Sequence, residues 1–372
     1  MTRATLFHLF FLGIVFPAIA CNKDVSGGGD THSDAAPSDE ASHDEGTGDD
    51  TSGNAGDDTS SNAGDDTSDN TGNDTGGDTP LVEHSAGDLG CHDVFEDREG
   101  IQPHEYDLIE WRSDDGTTWT EHRLFQACAD VPSIASNNDG TMLMAFQNFQ
   151  DREDDTKHDK IALRRSEDQG ESWAEATRAN LIGFPPEAAR PFDPTIVWDA
   201  ANAHWRLYFS MSTSGSLDLD ENVCTHSAAS DNGVDFTYES GTRFCAPEGY
   251  VIDPAVAFMG GLWYYSAPRG APQEGAHLAT SEDGLGFSPA PPIPSDVNHA
   301  WTGNLVEVDG TLRFYAREVL LPDGNLLWWS STTDGNSWSG YNQTNIPAGK
   351  DPGIFRKPDG TFIILVPTLS PS

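Results

Sequence analysis

Five short turns of one design punctuate this chain, and their spacing restricts the fold more than any other feature of the sequence. Ser166-Glu167-Asp168-Gln169-Gly170-Glu171-Ser172-Trp173 has the form S-x-D-x-G-x-[ST]-W, and four shorter relatives of the form [ST]-x-[DN]-G-x-x-[WF] span 113–119, 230–236, 281–287 and 332–338. Their aromatic ends fall at Trp119, Trp173, Phe236, Phe287 and Trp338, at intervals of 54, 63, 51 and 51 residues. A hydroxyl and a carboxylate at this spacing cap a tight turn by bonding backbone N–H groups, and the aromatic ring packs between sheets. Self-similarity at a period near 50 residues signals a repeat architecture.

A second repeat alternates with the first. Each copy is a strand that usually opens on proline, then a glycine- or asparagine-containing turn, then an aromatic strand. The pairs are Val131-Pro132-Ser133-Ile134 with Met142–Phe146, Asp193-Pro194-Thr195-Ile196-Val197 with Trp205–Phe209, and Asp253-Pro254-Ala255-Val256 with Leu262–Tyr265. Two more are Trp301-Thr302-Gly303-Asn304-Leu305-Val306 with Leu312–Tyr315, and Asp351-Pro352-Gly353-Ile354-Phe355 with Phe362–Leu365. No long helical periodicity interrupts them. The last strand pair has no turn after it, and the first turn has no strand pair before it. They complete each other, so Leu108–Arg112 and Glu121–Phe125 are expected as outer strands of the blade begun at Asp351. The expected fold is all-β, a five-bladed propeller of four-stranded sheets over 90–372, closed by its own terminal strands so that no edge is left open.

Five blades with Asp-Pro-led inner strands resemble the superfamily of arabinanases, levansucrases and invertases, which includes glycoside hydrolase families 43 and 32. The turns are similar to the Asp boxes of sialidases, although those have six blades and an arginine triad. The resemblance covers about 106–369. It implies a glycan-processing site at the starts of the inner strands, where Asp130, Asp193, Asp253 and Asp351 lie. Family 43 enzymes use an aspartate at the first inner strand, a second in an Ile-Asp-Pro context and a glutamate often found before Gly-Pro. Asp130 and Ile252-Asp253-Pro254 correspond to the first two, although Asp130 stands two residues before Pro132 rather than one. The third is missing, since the corresponding strand reads Trp301-Thr302-Gly303-Asn304. If the protein is an enzyme, Asp130 or Asp193 is the expected base, Asp253 the residue that tunes or positions a neighbour, and Glu318, by elimination, the acid. Carboxyl groups sharing one pocket push their pKa values apart, as acid–base work requires. Equally, Asp-Pro is a strand-opening turn that structure alone can repeat.

Arg190, Arg269, Arg317 and Arg356 recur near the same strand ends. They read either as a clamp for a carboxylated sugar, since guanidinium forks onto carboxylates, or as countercharge for the aspartates. Trp301, with Trp263 and His299, reads as a sugar-stacking face or as core. A structural Ca²⁺ in the central funnel is compatible with the aspartates; no other cofactor is expected. No phosphate loop, nucleophile elbow or zinc motif occurs. Two functions stay open: a tethered glycoside hydrolase, or a non-catalytic propeller that binds glycan or a protein partner.

The remainder of the sequence concerns location. Residues 1–20 read as a secretory signal, too short an apolar run to span a membrane. Ala18-Ile19-Ala20-Cys21 resembles the lipobox of bacterial lipoproteins, which makes Cys21 the lipidated residue, and Asn22 after it implies the outer membrane by resemblance to the bacterial sorting rule. Residues 22–89 carry 18 acidic side chains against the single Lys23, and an eight-residue near-repeat runs from Gly48. Such a segment lacks the apolar side chains to fold and reads as a solvated tether, with Ca²⁺ binding by the repeat the alternative. The whole chain holds 61 acidic and 20 basic residues, a net charge of −41, which excludes nucleic acid and anionic lipid as partners of a basic patch. A monomer is expected. Cys224 and Cys245 flank the turn at 230–233 and are expected to pair, leaving Cys91 with Cys128. A zinc site lacks the spacing.

Overall fold

The computed structural model describes residues 106–369 apart from 151–157, 187, 189, 215–222, 248, 320–325 and 348. The expected signal segment, Cys21, the acidic tether and Cys91 lie outside the described residues. The chain enters on β1 (Tyr106–Ser113) and β2 (Thr120–Gln126). The first complete blade is β3 (Ala129–Ser136), β4 (Met142–Asn148), β5 (Lys160–Ser166) and β6 (Thr177–Arg178). A short crossing strand, β7 (Asn180–Ile182), leads to the second blade, β8 (Phe192–Asp199), β9 (His204–Ser212), β10 (Val223–Ser230) and β11 (Asp235–Phe244). The third is β12 (Ala255–Met259), β13 (Leu262–Pro268), β14 (Ala276–Ser281) and β15 (Ser288–Ile293). The fourth is β16 (His299–Val308), β17 (Thr311–Glu318), β18 (Leu326–Thr332) and β19 (Asn342–Pro347). The last strands are β20 (Gly353–Arg356) and β21 (Phe362–Leu369).

These strands form five sheets, and the sheet of order β2-β1-β21-β20 closes the ring. Ile109 lies opposite Val366 and Glu110 opposite Leu365 in antiparallel register, so both ends of the propeller share one blade as the split repeat predicts. The expectation of four strands per blade needs one correction. The second blade has five, because β7 pairs in parallel with the outer strand β11. There the Asn180 side-chain amide donates to Asp235 at 2.7 Å, and the crossing segment covers an edge that would otherwise be open.

The five inner strands follow one another around the axis in the order β3, β8, β12, β16, β20 and back to β3. Hydrophobic burial divides the same way, with one buried cluster at each of the five blade interfaces. The recurring turns fasten these interfaces. In each, the hydroxyl of the first residue accepts the glycine N–H, at 2.8–3.0 Å across Gly116, Gly170, Gly233, Gly284 and Gly335. The Asp or Asn side chain then accepts N–H groups further along the turn, as Asp334 does from Asn336 and Ser337 at 2.8 and 2.7 Å. The turn so tightened presses its glycine onto the second strand of the preceding blade. Gly116 meets Tyr315 on β17, whose hydroxyl donates to the Gly116 carbonyl at 2.7 Å. Gly170 meets Ile363 on β21, Gly233 meets Leu143 on β4, Gly284 meets Tyr208 on β9, and Gly335 meets Tyr264 on β13. The closing blade is tied further by Glu110, fully buried between Arg112 and Arg123 at 2.7 and 2.8 Å, while Arg112 reaches on to Glu171 of the first blade.

Cys224 and Cys245 form the expected disulfide, with Cα atoms 4.7 Å apart. Cys128 is also disulfide-bonded, and its expected partner, Cys91, lies outside the described residues. At Gly335 the backbone has φ +77° and an added Cβ would stand 2.2 Å from the Tyr264 ring. Gly335→Ala is therefore expected to destabilise the ring by about 2–4 kcal/mol in urea unfolding of the full chain, from left-handed backbone strain plus overpacking. An unchanged midpoint would show that the turn is not seated on its neighbour.

Candidate functional site

The inner strands carry a repeated irregularity at their first residues, and it aims carboxylates at one mouth of the central channel. Val131, Asp193 and Asp253 each precede a proline and each has a left-handed backbone, at φ +48°, +52° and +52°. Proline disfavours the helical region for the residue before it, and a non-glycine residue held at positive φ costs about 1–3 kcal/mol. Pairing slips at the same level, between Asp130 and Ser133 in the first blade and between Phe192 and Thr195 in the second. Such bulges re-aim side chains. In the first blade Val131 takes the strained place and Asp130 stands just before it, its Oδ1 accepting the Val131 N–H at 2.9 Å.

The strand starts are also laced to one another. The Asp253 N–H donates to Asp193 Oδ2 at 3.4 Å. The Thr195 hydroxyl donates to the Pro254 carbonyl, and the Ser133 hydroxyl accepts the Ile196 N–H at 3.1 Å. Asp130, Asp193, Asp253 and Asp351 consequently lie within electrostatic reach of each other. Burial pushes the Asp130 carboxyl up to about 6, against the opposing pull of the Lys350 ammonium. Burial and then the Asp351 charge push Asp193 up to about 7. Asp253 is held well above the usual carboxylate range, by burial first and by Asp193 next. Asp193 and Asp253 keep part of their surface open, so they remain available to a ligand.

Lys350 is the residue that sequence reasoning missed. Its ammonium lies 2.9 Å from Asp130 Oδ2 and 4.7 Å from the centre of the Tyr106 ring. Although burial works against its charge, the Asp130 and Asp351 carboxylates raise it above the ordinary lysine range. Its position directly before Asp351 in the repeat was the available signal. Among the described residues, no group of three or more His, Cys, Asp or Glu side chains is arranged to hold a metal ion. A Ca²⁺ in the funnel would have to compete with Lys350 for Asp130.

Several expected site residues lie elsewhere. Glu318 does not join the aspartates. On β17 it shares a face with Phe314 and Ala316, which pack toward the third blade. Its carboxylate accepts the Gln343 side-chain amide at 2.6 Å and the Leu326 N–H at 3.2 Å, so both oxygens are used within the fourth blade. Trp301 is core, 2% exposed, packed edge-on against Trp328 and Trp338 with centroids 5.1 Å away in each case. Trp263 is likewise buried, and His299 stacks on Tyr341 at 3.6 Å. Arg356 ends β20 at the other mouth and forks onto Asp309 at 2.8 and 3.0 Å. Arg190 pairs with Asp159 at 2.8 Å and stays near enough for its charge to act on Asp193, while Arg269 is exposed after β13 and reaches the Glu274 carbonyl at 3.4 Å. None of the four arginines makes a direct ion pair with Asp130, Asp193 or Asp253, so direct countercharge comes from Lys350. The far half of the channel is a cavity of about 240 Å³ lined by all five inner strands, among them Ile134, Val197, Ala257, Leu305 and Ile354.

No family model matches the chain, and no curated protein matches it. Among solved structures it is similar to an exo-β-1,3-galactanase from Clostridium thermocellum, with 14% identity and a TM-score of 0.46, covering 69% of this chain and 62% of that one. It is similar to a family 117 glycoside hydrolase from the marine bacterium Zobellia galactanivorans, with 15% identity and a TM-score of 0.43, covering 73% and 88%. A GH32 β-fructofuranosidase from Bombyx mori gives 13% identity and a TM-score of 0.49, covering 71% and 58%. The chain thus spans less than two thirds of the galactanase and of the fructofuranosidase. The five-bladed fold itself rests on the sheets and interfaces described above.

The carboxyls of the funnel and of the turns pull stability in opposite directions with pH. Asp130 and Asp193 bind protons more tightly folded than unfolded, so their contribution is full below about pH 4 and is lost as pH rises through about 6 and 7. Asp334 is lowered to about 2 by the Ser337 and Asn336 N–H groups, so its contribution is present above about pH 4 and is lost as pH falls through about 2. From these groups the stability of the ring is expected to peak near about pH 4 and to fall toward pH 7, and Asp193→Asn to flatten that alkaline limb, by thermal unfolding across pH. A wild-type profile flat from pH 5 to 8 would contradict the buried cluster.

Proposed function

We propose that the propeller is a glycan-binding module of a surface lipoprotein and that its funnel does not cleave glycosidic bonds. The observation that carries this reading is the pairing of a half-open aspartate cluster with a Glu318 whose two oxygens are already engaged in its own blade. The partly open Asp193 and Asp253 carboxyls, both raised above the usual carboxylate range, offer polar groups to sugar hydroxyls, and neighbouring strand starts hold them in fixed positions. Hydrolysis with inversion needs an acid and a base about 6.5–9.5 Å apart on opposite sides of the scissile bond. The fourth blade, where the acid is expected, supplies none at its strand start.

The location follows from the sequence. Residues 1–20 would direct export, Cys21 would carry the lipid, and the tether over 21–89 would hold the propeller some distance from the outer membrane. A flexible coil of that length spans roughly 45 Å root-mean-square, and charge repulsion extends it. Two or more acyl chains on Cys21 suffice for stable anchoring. The module acts as a monomer on extracellular oligosaccharide.

One observation favours a second reading. Asp193, raised to about 7 and partly open, is placed to exchange a proton near neutral pH, as a general acid or base would. Calorimetric titration of the full chain with arabinan, xylan, galactan and fructan oligosaccharides, run beside a reducing-end assay, separates the two. Binding without release of sugar, weakened about tenfold or more by Asp193→Asn, is the expected result. Sustained release by the wild type, lowered about 10²–10⁴-fold in Asp193→Asn, would establish hydrolysis instead.

A further inference from the structure

Among the described residues, the Arg317 side chain is a cation without a partner, in a chain where carboxylates outnumber cations 61 to 20. Arg190, Arg269 and Arg356 all have acceptors. The Arg317 side chain has none among the described residues, and its Nε is buried and unpaired. A buried donor left without an acceptor is costly, and acceptors are abundant here, so the vacancy calls for an explanation. Alternation along β17 settles which way the side chain faces. Arg313 and Tyr315 face the closing blade, the first 5.9 Å from the Phe362 ring and the second bonded to Gly116. Arg317 shares their face two residues nearer the funnel mouth. Its charge acts on Tyr106, the ring that carries the Lys350 ammonium. Lys350 and Arg317 thus give the funnel a cationic edge between the fourth and closing blades, across from the Asp193 and Asp253 strand starts of the second and third. Lys350 is committed to Asp130, so Arg317 holds the uncommitted charge.

We infer that Arg317 is the anchor for a carboxylate on the ligand, and that the glycan taken by the funnel bears uronic acid. The inference rests on the glycan-binding reading and names its ligand class. A guanidinium forks onto a carboxylate through two parallel N–H bonds, which fixes the orientation of a sugar ring as well as its charge. The hydroxyls of that ring would then meet the aspartates across the channel, where carboxyls kept from ionising by burial repel an anion less than four free charges would.

The test uses the full chain, with trigalacturonate and triglucuronate as probes and their methyl esters as uncharged partners of the same shape. The free acid is expected to bind at least about tenfold tighter than its ester. Arg317→Gln should abolish that preference while leaving ester affinity within about twofold, Arg317→Lys should keep part of it, and Arg356→Gln, at the other mouth, should leave it unchanged. Thermal unfolding of each variant establishes that the ring is intact. Equal affinity of acid and ester in the wild type would overturn the role of Arg317 and leave glycan binding standing. A preference that survives Arg317→Gln would overturn it as well. Binding of neither the acids, the esters nor neutral oligosaccharides would overturn both.

Discussion

The contact between each turn glycine and the second strand of the preceding blade governs the ring. A propeller blade buries little by itself, and its stability comes from the face it shares with the next. Here the turn hydroxyl and carboxylate hold the loop tight enough for a glycine without a side chain to lie against Tyr315, Ile363, Leu143, Tyr208 or Tyr264. Because a turn of this kind recurs in every blade, each blade is seated on its neighbour through the same contact. The fifth contact, Gly116 on β17, is made by a turn that the N-terminal strands supply. Closure at this contact thus joins residues 199 positions apart, reinforced by Glu110 between its two arginines.

Ring closure has a consequence at the axis. It brings the first residues of four inner strands to one mouth of the channel, where in three of them left-handed backbone accompanies the carboxyls. The energetic arrangement is adverse to stability. Like charges are concentrated and buried, and a single lysine beside Asp130 offsets them directly. Strain and repulsion of this kind persist only where the surrounding structure over-determines them, and they concentrate at functional sites. The blade interfaces provide that support. The proposed binding of a polyhydroxylated ligand would use these aspartates without proton transfer, so it needs no acid residue beside them.

The sequence was legible where a physical requirement fixes residue types. The turns need a hydroxyl, a carboxylate or amide, and glycine; the strand starts need proline. Blade number, ring closure and the aspartates at the strand starts could therefore be read directly. Strand β7 was not legible, since Asn180–Ile182 is too short to show alternation. Lys350 was hidden because its partner Asp130 lies 220 residues away. Glu318 and Arg317 are adjacent, and alternation puts one on the face toward the third blade and the other on the face toward the closing blade. Only the register of β17 decides which, and no motif encodes it. Trp301 shows the same limit: an aromatic near a funnel reads as a sugar platform until its neighbours, Trp328 and Trp338, are seen to bury it.

The central claim is that aspartates from different blades form one coupled, half-buried site. Carbon-13 NMR of the side-chain carboxyls in aspartate-labelled protein measures this directly, residue by residue, as pH is varied. The account predicts a midpoint near 7 for Asp193 and near 6 for Asp130, with the Asp193 midpoint falling when Asp253 is replaced by asparagine. Independent titration of these aspartates below about pH 5, unaffected by substitution of their neighbours, would contradict it.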